Sequence, residues 1–301
     1  MASSQNTLWE RFLAPIVFRL IDYQKWKSYG ESIDWQKECD RINCNNLTIP
    51  HYYSSQNFHG IKGGYFNPGA AIYYDPITRY ALPPHETWTR QALIDAIQVK
   101  PRRILDLGCG TGSTTLMLKQ AFPEAEVIGL DLSPYMLVRA EDKAKSENLE
   151  INWLHGNAEK TGFADASFDL VTAALLFHET PVSVCQGILR ESFRLLVEGG
   201  QMVILDGNQK RLRKLKWLHN IFEEPYISEY AESSLDAILN AVGFTGVGTN
   251  QVWWTSQVTS GIKVVKSEKD IQPNISDDVS SPTDTTIDHN EQEILGFPAL
   301  S

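Results

Sequence analysis

The run Ile104-Leu-Asp-Leu-Gly-Cys-Gly-Thr-Gly112 combines three alternate glycines with a buried-type apolar lead-in. Glycine at 108, 110 and 112 lets the backbone bend sharply and lets a ligand approach without meeting Cβ atoms. If a helix follows, its first N–H groups face that ligand. Asp131 stands 23 residues after Gly108. An acid at the end of the next strand can accept both hydroxyls of a ribose; its competing role is to cap the helix opening at Ser133-Pro134. Further on, His178 and Glu179 are adjacent. An imidazole with a carboxylate beside it suits proton removal, His178 as general base and Glu179 as its orienter or substitute. Packing or helix capping is the plainer role for His178. Asp206 is a weaker base candidate, and His51 and His59 are possible contributors from the N-terminal part.

These residues need a frame that brings strand ends together. From Arg102 onward the pattern alternates: strand 102–107, helix 112–121, strand 126–131, helix 134–146, strand 150–155, strand 168–174, helix 181–196 and strand 200–206. Short apolar strands of this kind are buried on both faces, and βαβ repetition gives a parallel sheet with right-handed crossovers. Another helix spans about 227–241. Two late strands, near 246–250 and 252–258, are too close for a crossover helix, so the last pairs antiparallel at the sheet edge. The predicted fold is α/β, doubly wound, a mostly parallel seven-stranded Rossmann-like sheet with an antiparallel edge strand. Ligands of such sheets bind beyond the carboxyl ends of the strands, which is where Leu176–Glu179 and Asp206–Asn208 fall.

The loop admits two nucleotide cofactors. The dinucleotide fingerprint G-x-G-x-x-G requires glycine at 113, where this chain has Ser113. Asp106, two residues before the first glycine, would repel a pyrophosphate and attract an ammonium or sulfonium. The electrostatics therefore favour S-adenosylmethionine over a nicotinamide dinucleotide. The loop resembles motif I of the class I S-adenosylmethionine-dependent methyltransferases, and the resemblance continues in order from about Arg102 to Gly207. Val127-Ile-Gly-Leu-Asp-Leu-Ser-Pro-Tyr-Met136 is similar to the second motif, and Gly156-Asn-Ala-Glu159 with Ser167-Phe-Asp-Leu-Val171 to the adenine-side motif. Leu189-Arg-Glu191, Leu195-Leu196 and Glu198-Gly-Gly200 resemble the next one. The resemblance implies a cofactor set of Asp106, Gly108, Cys109, Gly110, Gly112, Asp131, Leu132, Met136, Asn157, Ala158 and Leu175. Asn157 departs from the usual Asp; its amide oxygen can still accept from an adenine amino group, without the charge.

Within that family the nearest resemblance is to the type-11, quinone-biosynthesis-like enzymes acting on small molecules. Members that methylate polyprenyl quinone rings carry an Arg-Asn-containing segment where this chain has Phe177-His-Glu-Thr-Pro181. The expected reaction is therefore oxygen or nitrogen methylation of a hydrophobic or aromatic specialised metabolite, with carbon methylation of a quinone-type ring as the alternative. An NAD-dependent dehydrogenase and a non-catalytic cofactor-binding protein are the readings from other classes.

The remaining segments suggest a cap and a tail. Residues 7–22 have helical apolar spacing. Residues 45–85 read as loop-rich, dense in Tyr52, Tyr53, Tyr65, Tyr73 and Tyr74. Residues 1–85 are thus expected to form an N-terminal helical lid and substrate cap, 86–266 the cofactor-binding domain and 267–301 an acidic disordered tail. Residues 266–301 hold eight Asp/Glu and two Lys, a net −6 of the chain's −10. That balance disfavours nucleic acid as a partner; the basic run Lys210, Arg211, Arg213, Lys214, Lys216 is expected to be a solvated helix face. The four cysteines form no CxxC pair, so neither zinc nor any other metal is expected and a reducing, cytoplasmic setting is the simpler reading. No signal peptide or stable membrane insertion is expected, and the protein is read as a monomer or homodimer.

Overall fold

The computed structural model describes residues 21–43, 47–58, 61, 63–81, 85–215 and 224–264 of the 301. Most of the expected 7–22 helix, His59, and the acidic tail from 267 lie outside the described residues.

The elements, in order, are α1 (Tyr23–Glu31), α2 (Trp35–Ile42), α3 (His51–Ser54), α4 (Pro68–Ala81), α5 (Glu86–Asp95), β1 (Arg103–Leu107), α6 (Ser113–Ala121), β2 (Glu126–Asp131), α7 (Pro134–Ser146), β3 (Asn152–His155) and β4 (Phe168–Ala174). After a 3-10 turn at Phe177–Glu179 come α8 (Val182–Leu195), β5 (Leu196–Gly207), α9 (Gln209–Lys214), α10 (Ile227–Glu232), α11 (Leu235–Val242), β6 (Phe244–Val252) and β7 (Ser256–Lys263).

One seven-stranded sheet has the order β3-β2-β1-β4-β5-β7-β6. β1 to β5 are parallel neighbours, while β7 runs antiparallel to both β5 and β6. The expected antiparallel pairing is therefore present at this end of the sheet. The antiparallel strand itself lies one place in, and β6 is the edge. Alternate residues of the central strands face opposite sides. Leu105, Ile128, Val171 and Ile204 pack on Ile188 and Leu189 of α8, whereas Ile104, Val127, Leu170 and Val203 pack with Leu93 of α5 and Leu118 of α6. Both faces are thus covered, the condition for a parallel sheet.

Local chemistry sets the boundaries. Ser133 caps α7, its Oγ accepting from the Met136 N–H at 3.3 Å, with Pro134 at the first helical position. The expected 227–241 helix is two helices, because Ser234 starts a new one by accepting from the Ala237 N–H. β5 begins earlier than expected, since Leu196 pairs with Phe168 before a bulge. The segment read as loop-rich contains the 14-residue α4. Asn67 caps it, its Oδ1 accepting from the Ala70 N–H at 2.9 Å. Pro68 follows Asn67, a start signal obscured by the surrounding glycines and by Pro76 inside the helix.

The N-terminal helices lie over the domain at α7: α2 and α4 both pack on it. Phe58, Tyr65, Ala70 and Ala71 form a small core with Met136 of α7. Among the described residues, no helix is long and apolar enough to cross a membrane.

Candidate active site

The carboxyl ends of β1, β2 and β4 open into one cleft. Gly108, Cys109, Gly110, Leu130, Asp131, Leu132, Met136, Asn157, Ala158, Leu175 and Glu179 line it, together with Tyr52, Tyr53, Tyr65 and Tyr74 from the N-terminal part. Ten of the residues proposed from the sequence are thus brought together. Asp106, Gly112 and His178 are not on the lining.

Two of those glycines answer to packing. A Cβ on Gly108 would lie 2.7 Å from Leu176 Cδ1, and one on Gly112 would lie 2.6 Å from Trp153 Cη2 and 3.0 Å from Ala140 Cβ. Both residues also have left-handed backbones, φ +61° and +78°, which L side chains rarely adopt. Gly112 therefore caps α6 and admits Trp153 beneath the loop; it does not face the cleft. Leu175 is itself left-handed, φ +60°, and this turn at the end of β4 brings Leu176 back over Gly108.

Asp131 is held by the bend it faces. Its Oδ2 accepts from the Gly110 N–H and its Oδ1 from the Ser133 N–H, both at 2.8 Å. The carboxylate is built into the loop and keeps further lone pairs for a ligand. The helix-capping role that competed for it falls to Ser133, and Asp131 merely accepts from the Ser133 N–H. Asp106 lies below, 1% exposed, accepting from Thr115 at 2.6 Å and Thr172 at 2.8 Å. Burial raises both carboxyls to about 6, against the lowering effect of these hydrogen bonds.

Asn157 lines the cleft, but its Oδ1 accepts from the Glu159 N–H at 2.8 Å. The amide thus shapes its own turn, the ordinary role for Asn at such a position.

His178, the first base candidate, is turned away from the cleft. Its Nδ1 lies 2.6 Å from Asp206 Oδ1, its Nε2 3.3 Å from Glu224 Oε2 and 4.0 Å from Glu179 Oε1. Burial alone would lower its pKa; Glu224, Asp206 and Glu179 outweigh burial and raise it to about 10. An imidazolium fixed between carboxylates donates protons and is unsuited to take one. Asp206, fully buried, also accepts from the Phe177 N–H at 2.8 Å and so ties β5 to the 3-10 turn. Glu179 is the member of the pair that reaches the cleft, accepting from the Tyr65 hydroxyl at 2.6 Å. Burial first, then the Glu179 carboxylate, push the Tyr65 phenol well above its ordinary value, so it stays a donor. His51 is exposed and off the lining.

Sequence reading missed Arg90, Thr111, Ser113 and Glu224. Arg90 reaches the cleft from α5, donating to Thr114 Oγ1 at 2.6 Å and pairing with Glu86 at 2.7 Å. The i,i+4 spacing of Glu86 and Arg90 was its visible signal. Thr111 donates to Asp75 of α4, and Lys143 bonds Asp75 at 3.0 Å and Ser113 at 2.9 Å. These contacts tie α4, the glycine loop and α7 together.

The charge of the cleft selects among ligands. Among the described residues that line it, Arg90 is the single cationic side chain, and it is paired with Glu86. Asp131 and Glu179 line it and Asp106 lies beneath. Buried carboxylates left in excess repel a pyrophosphate and favour a cation. The arrangement fits the ammonium, sulfonium and ribose of S-adenosylmethionine. No cluster of three or more His, Cys, Asp or Glu among the described residues could hold a metal ion.

Residues 104–200 match the family model described as a methyltransferase domain. Over 119 residues the chain is 41% identical to the demethylmenaquinone methyltransferase of Thermus thermophilus, covering 40% of this chain and 53% of that one. It is 34% identical over 128 residues to the ubiquinone/menaquinone biosynthesis C-methyltransferase of Dinoroseobacter shibae, 42% of this chain and 50% of that one. The chain thus spans about half the length of the curated relatives it matches. Human N-acetylserotonin methyltransferase, solved with S-adenosylmethionine, shares the fold with a TM-score of 0.53 at 16% identity, over 67% of this chain and 58% of that one.

Proposed function

We propose that this chain moves a methyl group from S-adenosylmethionine to a hydroxylated aromatic small molecule, with the ring carbon beside the hydroxyl as acceptor. The observation that carries this reading is the Glu179 carboxylate, set in a tyrosine-lined cleft and fixed by the Tyr65 hydroxyl at 2.6 Å. The relatives named for quinone-pathway methylation support the carbon acceptor. They give no support to a specialised-metabolite substrate. The departure at Phe177–Pro181 favours a second reading, transfer to the hydroxyl oxygen itself.

When bound, S-adenosylmethionine supplies an electrophilic methyl group on sulfonium sulfur. Asp131 would hold the ribose hydroxyls, Asp106 would favour the ammonium from below, and Ala158 and Asn157 would border the adenine. Glu179 takes the phenolic proton, and the electron pair left on oxygen, shared with the ring carbon beside it, is the nucleophile. After carbon attack the ring carbon releases its own proton to solvent, Glu179 returns the phenolic proton to the ring oxygen, and aromaticity is restored. Tyr65 orients Glu179 and, with the other tyrosines, excludes water from the reaction. His178 is a positioning residue: it holds Asp206 and Glu224 behind the 3-10 turn that carries Glu179. In this reading residues 1–85 serve as the lid and substrate cap.

Incubation with S-adenosylmethionine carrying a labelled methyl group, and with reduced naphthoquinones and simple phenols, tests the proposal. Label should enter the aromatic acceptor, and NMR of the product should place it on carbon. Label on oxygen would establish the second reading. No transfer to any hydroxylated ring, with hydride exchange to NAD instead, would overturn both.

A further inference from the structure

A patch outside the cleft has composition and placement that the methyl-transfer chemistry does not use. Trp88 of α5 and Trp253 and Trp254 at the β6–β7 turn are 59%, 53% and 52% exposed. Trp88 and Trp253 stack at 6.2 Å between ring centroids, so two elements distant in sequence build one aromatic surface. Trp253 has φ +52°, a backbone that a bulky side chain rarely adopts. An exposed aromatic cluster of this kind marks an interaction surface.

Its neighbour is basic. The Asn208 N–H, which precedes α9, donates to Thr255 O at 2.9 Å, and the Gln209 N–H donates to Gln257 Oε1 at 3.0 Å. The start of α9 is thus bonded to the tryptophan turn. Lys210, Arg211 and Lys214 of this helix are exposed, whereas Arg213 is drawn inward to Ala231 O at 2.7 Å. A merely solvated basic face, as expected from the residue pattern, leaves the adjoining tryptophans unexplained. The patch also sits at the carboxyl end of the sheet: the turn follows β6, which runs parallel to β5, and Trp88 is two residues from the cleft-lining Arg90.

We propose that this surface docks the protein on an anionic lipid bilayer. Indole rings favour the membrane–water interface, where one end is apolar and the other wet. Lysine and arginine beside them add attraction to anionic headgroups. The acidic balance of the whole chain does not oppose this, because charges more than about 8 Å away are screened at physiological ionic strength. Docking there brings the cleft end of the sheet toward the bilayer. The surface stands on residues that take no part in cofactor binding, so the proposal survives or fails separately from the methyl-transfer reading.

Co-sedimentation of the full chain with vesicles of phosphatidylcholine alone, and with vesicles of phosphatidylcholine mixed with phosphatidylglycerol, tests it. The wild type should bind the anionic vesicles preferentially and be released by salt. Trp253→Ser with Trp254→Ser should lower binding about tenfold or more, and Lys210→Glu with Arg211→Glu should lower it on the order of fivefold per charge. Both variants should keep wild-type circular dichroism, melting temperature and S-adenosylhomocysteine binding. Absence of vesicle binding by the wild type would overturn the proposal. So would equal binding to both vesicle types, tighter retention of an unstructured RNA than of vesicles, or a wild-type dimer that the Trp253→Ser, Trp254→Ser pair converts to monomer.

Discussion

The hydroxyl of Tyr65 donates to the carboxylate of Glu179 at 2.6 Å across 114 residues of sequence. The same Tyr65 offers its backbone carbonyl to the Ser133 hydroxyl at 2.7 Å. One residue before the parallel sheet thus touches both the loop after β2 and the turn after β4. It joins the part of the cleft suited to the cofactor with the part suited to proton removal.

Glu179→Gln keeps the shape of that contact and removes the proposed base. Turnover should fall by about 10²–10⁴, with S-adenosylhomocysteine affinity nearly unchanged. Tyr65→Phe should lower kcat by roughly ten- to a hundredfold, the size of a lost hydrogen bond to a charged group, again without a matching loss of cofactor affinity. Steady-state kinetics with parallel calorimetric titration separates the two quantities.

In the proposed donor pocket, Asp131 and Asp106 should make binding pH-dependent. Both carboxyls are raised to about 6 by burial. Their contribution to the stability of the fold is greatest below the ordinary value of 3.8 and is lost as pH rises through about 6, because the neutral form is the one the fold favours. Cation binding has the opposite sign, since it requires the ionised form. The affinity for S-adenosylmethionine should therefore fall as pH drops from 7 to 5, and Asp131→Asn should remove most of that dependence. Calorimetry across that range measures it.

His178 gives the fold a separate pH signature. Its pKa is raised to about 10, so its stabilising contribution is complete below the ordinary value of 6.5 and is lost as pH rises through about 10. Between pH 7 and 9 the wild type should lose up to about 1.4 kcal/mol per pH unit more than His178→Gln does. Replacing His178 should also destabilise the protein at pH 7 by about 3–5 kcal/mol, because the buried Asp206 and Glu224 carboxylates lose the imidazolium they both contact. Denaturant melts at several pH values read both effects.

Gly112→Ala should destabilise the domain by packing conflict with Trp153 and Ala140, with S-adenosylhomocysteine affinity largely kept in the fraction that folds. Melting temperature and titration together distinguish this from a cofactor contact.

The parallel core was legible because its strands are short, apolar and bounded by glycine, and because Gly108 and Asp131 sit at the strand ends that must converge. What escaped was decided by contacts between distant segments. Nothing local to His178 and Glu179 tells which of them faces the cleft; the Asp206 carboxylate, 28 residues away, draws His178 inward. Arg90 and Asp75 belong to helices outside the repeating βαβ pattern, so their approach to the glycine loop depends on how α4 and α5 pack. The antiparallel strand was expected from the short connection between the last two strands. That connection could not say which of the two would pair with β5.

The methyl-transfer reading rests on a cleft that takes a cationic adenosyl donor whose ribose is gripped by Asp131. Calorimetric titration of the wild type and Asp131→Ala with S-adenosylmethionine, S-adenosylhomocysteine and NAD is the decisive experiment. Both adenosyl compounds should bind, weakened roughly tenfold or more in the variant as charge-assisted bonds of about 1.5–3 kcal/mol are lost, and NAD should not bind. Equal adenosyl affinity in wild type and variant, or preference for NAD, would contradict that reading.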